Sequence, residues 1–191
     1  SHVTAARVDL AQASWKRIDV DGHEHPHAFV SAGQHRRTAR VTLGQEGEPE
    51  VGAGVEGLVI LKTARSAFKG FLRDEFTTLA DTDDRIFATR LAARWDYEAG
   101  THDWNGCYDR VLSAMLRVFA AHDSLAVQQT LFAMAERALA ECKPVRDIDL
   151  EMPNQHRLPI DLRPLGLDNR NEVFVTTSEP FGLIQARVSR G

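Results

Sequence analysis

The chain has 191 residues, 43% hydrophobic and 26% charged, enough apolar material for a sizeable core. A formal net charge of -4 leaves no basic footprint for nucleic acid, and no apolar run approaches membrane-spanning length. Cys107 and Cys142 lie far apart in sequence and form no CxxC pair, which excludes a thiolate metal framework or a disulfide scaffold and fits a reducing compartment.

In chain order, residues 6–15 and 36–43 read as strands with no helix to cover them. Asp21-Gly22 between them is a hairpin-turn signature. One hairpin is marginal alone, so residues 1–48 read as the trailing part of one domain, with Gln45-Glu46-Gly47-Glu48-Pro49 as a linker to a second at 51–191. Leu58-Val59-Ile60-Leu61 reads as a buried strand, and residues 90–97 alternate with the period of two of a half-buried one. The polar connection between them, residues 62–85, is long for a structureless loop and is the first place to seek a site.

Two helices follow. Val111, Met115, Val118 and Phe119 recur at helical spacing over residues 104–121, as do Val127, Leu131, Met134, Ala138 and Leu139 over 125–141. Ser124 is a candidate N-cap, and Pro144 limits the second helix. Strand periodicity returns at 147–152, 158–162, 172–176 and 183–188, the last two joined by a turn at 178–182. The order from Gly54 onward, ββααββ, predicts an α+β layer: an antiparallel sheet with two helices on one face.

Two patterns attract attention and lack their context. Gly52-Ala53-Gly54-Val55-Glu56-Gly57 matches GxGxxG, but a dinucleotide cradle needs a helix after it, and here a strand follows; tight-turn glycines are the plainer reading. His23, His25 and His27 could share one face of an extended segment and bind zinc or copper, yet beside Asp21-Gly22 they read better as a polar hairpin tip. No GxSxG, HExxH or Walker sequence occurs.

Three segments resemble the urate oxidase (uricase) family in order and spacing. The first is Gly57-Leu58-Val59-Ile60-Leu61-Lys62-Thr63, with Ser66-Ala67-Phe68-Lys69-Gly70-Phe71-Leu72-Arg73-Asp74-Glu75-Phe76-Thr77-Thr78-Leu79 and Asp84-Arg85-Ile86. The second is Ser124-Leu125-Ala126-Val127-Gln128-Gln129-Thr130. The third is Met152-Pro153-Asn154-Gln155-His156, with Asn171-Glu172-Val173-Phe174 and Pro180-Phe181-Gly182-Leu183-Ile184 downstream. Trp15-Lys16-Arg17 and His25-Pro26-His27-Ala28-Phe29 also match, so the resemblance spans essentially the whole chain. It implies a tunnelling fold (T-fold): residues 1–48 as the closing hairpin of a first T-fold domain, residues 51–191 as a complete second one, and a homotetramer joining its sheets around a tunnel.

The implied reaction is oxidation of urate by molecular oxygen and water to 5-hydroxyisourate and hydrogen peroxide, without metal or flavin. By resemblance Phe68 stacks on the purine, Arg85 forks onto its edge, and Gln128 with the Val127 backbone N–H meets the opposite edge. Asn154 lies over the purine plane where oxygen or water sits, and His156 belongs to the proton relay. From composition alone these residues would read as core, ion pair and solvated helix; the matched motifs reverse that. The family's relay lysine and threonine come from the N-terminal domain of a neighbouring subunit, and Lys16, Lys62, Lys69 and Lys143 are in the wrong places to replace the lysine. An N-terminal half is therefore an expected partner. A signal-peptide core and a terminal Ser-Lys-Leu are both absent, so the expected setting is cytoplasmic. The competing readings are a non-catalytic purine-binding or assembly subunit and a pterin-acting T-fold enzyme.

Overall fold

The computed structural model describes residues 2–78, 80–177, 179 and 182–190. Six strands form one antiparallel sheet in the order β1-β2-β3-β4-β5-β8, in which β1 is Ala5–Val20, β2 His23–Gly44, β3 Glu50–Lys62, β4 Phe87–Tyr97, β5 Val145–Asn154 and β8 Gly182–Ser189. Helices α1 (Trp104–Ala121) and α2 (Val127–Glu141) pack on one face, the expected α+β layer. No helix among the described residues is long and apolar enough to cross a membrane.

Alternation decides which side chains meet the helices. In β4, Phe87, Thr89, Leu91, Ala93, Trp95 and Tyr97 are buried, while Arg90 and Arg94 point to the other face and are exposed. Ile148, Leu150 and Met152 of β5 complete the layer beneath Met115, Leu131 and Met134 of the helices. Phe87 packs on Phe119 at 5.1 Å between ring centroids, and Trp95 on Tyr108 at 5.6 Å. Cys107 on α1 and Cys142 at the end of α2 are both buried and meet in this core, where burial pushes the Cys142 thiol up to about 11.

Asp21 and Gly22 take φ of 53° and 81°, the left-handed pair a two-residue hairpin needs. β2 pairs with β1 along nearly its whole length but with β3 only over Arg36–Thr42, so the distal hairpin is a two-stranded ribbon. Residues 45–49 link β2 to its antiparallel neighbour β3. At the tip, the His27 N–H donates to Nδ1 of His25 at 3.2 Å, and no group of three metal-ligating side chains assembles among the described residues.

Several local expectations change. Gly52 and Gly54 lie inside β3, not in a turn: a Cβ on Gly54 would meet the Ala93 carbonyl oxygen at 2.4 Å and Thr38 Oγ1 at 2.8 Å. The GxGxxG pattern thus serves close strand packing, and Gly57, at φ 72°, carries a bulge between Val55 and Leu58. Ser124 is not the N-cap of α2. Its carbonyl accepts the Ala67 N–H at 2.7 Å in a parallel bridge with Ser66, which holds it extended two residues before Ala126, the cap itself. The strands expected at 158–162 and 172–176 contract to β6 (Arg157–Pro159) and β7 (Phe174–Thr176), a separate pair, because β8 takes the edge of β5. Of the expected turn at 178–182, residues 178, 180 and 181 lie outside the described residues, as does Leu79 of the first matched segment.

Candidate active site

The polar connection between β3 and β4 is a hairpin-like loop with a bonded neck. Phe68 and Thr82 exchange backbone hydrogen bonds of 2.7 and 3.0 Å, and the Arg85 N–H donates to the Ser66 carbonyl at 2.9 Å. The neck is also tied to the entrance of α2, since the Lys69 N–H donates to the Leu125 carbonyl at 3.3 Å. Phe68 and Arg85 thereby stand on a fixed frame although neither belongs to the main sheet.

Arg85 lies two residues before Phe87 and Asn154 two beyond Met152, while Thr89 of β4 pairs with Asn154 of β5. Strand parity therefore directs Asn154 to the helix-covered face, past the end of the helices' cover. Gln155 donates its N–H to the Ala88 carbonyl at 2.9 Å, and the His156 carbonyl accepts from the Thr177 N–H at 3.2 Å, which anchors the β6–β7 pair beside β4.

Between these walls lies a cavity of about 660 Å³, bordered by Phe68, Thr82, Asp84 and Arg85 on one side and by Asn154, His156, Arg157, Asn171, Glu172 and Phe174 on the other. The volume falls within the range of roughly 300–1,000 Å³ typical of small-molecule sites, with an apolar body and a few convergent polar groups. A smaller cleft on the opposite face of the sheet, about 220 Å³, runs past Asp9, Arg40, Glu56 and Arg94, whose charges are already matched in ion pairs.

The Arg85 guanidinium is half-buried, 5.5 Å from the Phe68 ring centroid and 5.7 Å from that of Phe87. Nε donates to the Ala67 carbonyl at 3.1 Å, whereas Nη2 is buried without a hydrogen-bond partner among the described residues. Burial pulls its pKa below the ordinary arginine value. A preorganised cation with an unused donor is a site for an anionic or carbonyl-rich ligand edge. Phe68 stacks on Phe71 at 4.5 Å with 15° between planes, which covers one of its two faces and leaves only the other for a flat ligand.

Of the residues expected at a site, Phe68, Arg85, Asn154 and His156 converge on the cavity. Val127 and Gln128 do not border it: Val127 is in the core as the first residue of α2, and Gln128 is exposed beside it. Their backbone N–H groups belong to the first helical turn, where intrahelical acceptors are lacking. Sequence reasoning missed Thr82, Asp84, Arg157, Asn171, Glu172 and Phe174 as cavity residues; Asp84 and residues 171–174 lay within matched segments, without a role.

A family model described as Uricase matches residues 1–42 and 51–185. The uricase of Arthrobacter globiformis is 41% identical over 189 residues, which cover 98% of this chain and 61% of that protein. The uricase of Danio rerio is 35% identical over 195 residues (100% and 65%), and that of Aspergillus flavus 34% over 203 residues (100% and 67%). This chain thus spans between 61% and 67% of the length of these three relatives. The crystal structure of the Arthrobacter globiformis uricase superposes with a TM-score of 0.89 at 39% identity, covering 98% of this chain and 63% of that one. A urate oxidase from Bacillus sp. TB-90, at 18% identity, shares the fold with a TM-score of 0.79.

Proposed function

Because the chain belongs to the uricase family, we propose that it is the C-terminal part of a urate oxidase and supplies the purine-binding half of its active site. The carrying observation is Arg85, a half-buried guanidinium with an unused Nη2, held beside the Phe68 ring in a cavity that also contains Asn154 and His156. Urate is flat, anionic and rich in edge acceptors. Phe68 stacks on it and excludes water, and Arg85 grips one edge. The family resemblance assigns the opposite edge to Gln128 and the Val127 N–H; both lie outside the cavity border, in the first turn of α2, whose entrance is tied to the loop neck through Lys69 and Leu125.

The reaction converts urate, oxygen and water to 5-hydroxyisourate and hydrogen peroxide. Two electrons leave the purine and reduce oxygen to peroxide, and water adds its hydroxyl to the ring. The electron-rich urate dianion is the reductant, so the residues need only bind, orient and move protons, with no metal or flavin. Asn154 orients oxygen or the attacking water over the ring, and His156 passes protons.

Residues 1–48 close a first T-fold domain, and a lysine and threonine from an N-terminal half, in a tetramer, complete the relay. Exposed apolar side chains on the hairpin support this, among them Trp15, Phe29 and Val30, with neither helix over them. Free, buried Cys107 and Cys142 suit a cytoplasmic setting. The test follows urate absorbance and peroxide release from the purified chain, with and without the N-terminal half and with Arg85→Ala as control. Turnover only in the presence of that half is expected. Failure in both mixtures, with urate still bound through Arg85, would mark a non-catalytic purine-binding module instead.

A further inference from the structure

The loop after β6 forms the second wall of the cavity, and one side chain ties it off. The Asn169 carboxamide donates from Nδ2 to the carbonyls of Ile160 (2.9 Å) and Val173 (2.7 Å). Its Oδ1 accepts the N–H groups of Glu172 (3.1 Å) and Val173 (3.3 Å). The Ile160 N–H adds a bond of 3.1 Å to the Val173 carbonyl, so residues 160–173 close into a loop pinned at its neck.

Within it, Asn171 adopts φ of 61°, left-handed backbone that asparagine tolerates better than other side-chain-bearing residues. Unusual backbone of this kind collects at functional sites. The turn brings Asn171 Nδ2 to 3.4 Å from Oδ2 of Asp84, 87 residues away in sequence and on the opposite cavity wall. Asp84 makes no ion pair among the described residues, and it directly precedes Arg85. An unneutralised carboxylate at the rim would repel an anionic ligand if it swung inward.

We propose that Asn171 and Asp84 are positioning residues for purine binding: their hydrogen bond joins the two cavity walls, holds the Asp84 carboxylate at the rim, and sets the backbone from which Arg85 extends. This rests on the urate reading above. Asn169 acts one step further back, by shaping the loop that presents Asn171.

The test uses the chain assembled with its N-terminal half. Urate binding is measured under nitrogen, where absence of oxygen blocks turnover, and kcat and KM are measured in air. Asn171→Gly keeps the left-handed backbone and removes only the amide; Asp84→Ala removes its acceptor. Each is expected to weaken urate binding and raise KM about fivefold, with kcat within about twofold, the scale of one long hydrogen bond to a charged group. The double variant should bind no more weakly than the weaker single one. The swap Asp84→Asn with Asn171→Asp, which rebuilds the bond in reverse, should recover most of the loss. Additive losses, unchanged single variants or a swap no better than the single variants would overturn the proposal. Arg85→Ala, run in parallel, separates the two readings: if it binds urate normally the urate assignment fails, and if it alone loses binding only the Asp84–Asn171 role fails.

Discussion

Replacing Arg85 by alanine should cost binding and leave folding nearly unchanged, because in the free chain the guanidinium's contributions oppose one another. Its bond from Nε to the Ala67 carbonyl contributes about 1 kcal/mol, and proximity to the rings of Phe68 and Phe87 adds about 0.5–1 kcal/mol each. Against that stands a buried Nη2 without a partner, which costs about 1–3 kcal/mol. The sum runs from about 1 kcal/mol unfavourable to about 2 kcal/mol favourable and centres near zero, so urea unfolding of Arg85→Ala should lie close to that of the parent. With urate bound, Nη2 gains its acceptor and the fork makes two charge-assisted bonds of about 1.5 kcal/mol or more each. Losing about 3 kcal/mol weakens binding about 150-fold. Anaerobic titration calorimetry with urate, alongside the urea curves, reads both quantities. A binding loss below about tenfold, or a stability loss above about 2 kcal/mol, would show that Arg85 is a structural residue and refute the reasoning.

Two further predictions concern the scaffold. Gly54→Ala places a Cβ 2.4 Å from the Ala93 carbonyl oxygen inside the sheet, where backbone must move to relieve it; a loss of about 2–3 kcal/mol is expected by urea denaturation, and an unchanged midpoint would contradict the close approach of β3 and β4. Burial pushes Tyr97 up to about 12 and Cys142 up to about 11, from ordinary values of 10.0 and 9.0, so the folded chain holds both protons more tightly than the unfolded one. Their stability contribution is complete below about pH 9 and is lost as pH rises through 9–12. Tm measured from pH 8 upward should fall along that window, and Tyr97→Phe should make the fall shallower.

Much of the layer was legible in the chain because periodicity is local. The alternation through Leu91, Ala93, Trp95 and Tyr97 marks the buried face of β4, and the stripe through Val111, Met115 and Phe119 marks that of α1. Asp21-Gly22 specified its turn by backbone preference alone. That Phe68, Arg85, Asn154 and His156 border one cavity agrees with the grouping expected from the matched segments; composition by itself would have left Phe68 in a core and Arg85 in an ion pair.

Tertiary structure decided what depends on partners distant in sequence. Ser124 reads as a cap until Ser66 draws its backbone into a bridge, and Gly54 reads as a turn residue until Ala93 crowds it. Asp84 and Asn171 carry no local signal linking them, since their contact across the cavity exists only because the β3–β4 loop is held at its Phe68–Thr82 neck and the 160–173 loop is tied by Asn169. Local propensity encodes which face of each element is buried, but a site forms where element ends converge, and convergence is set by sheet register and loop closure.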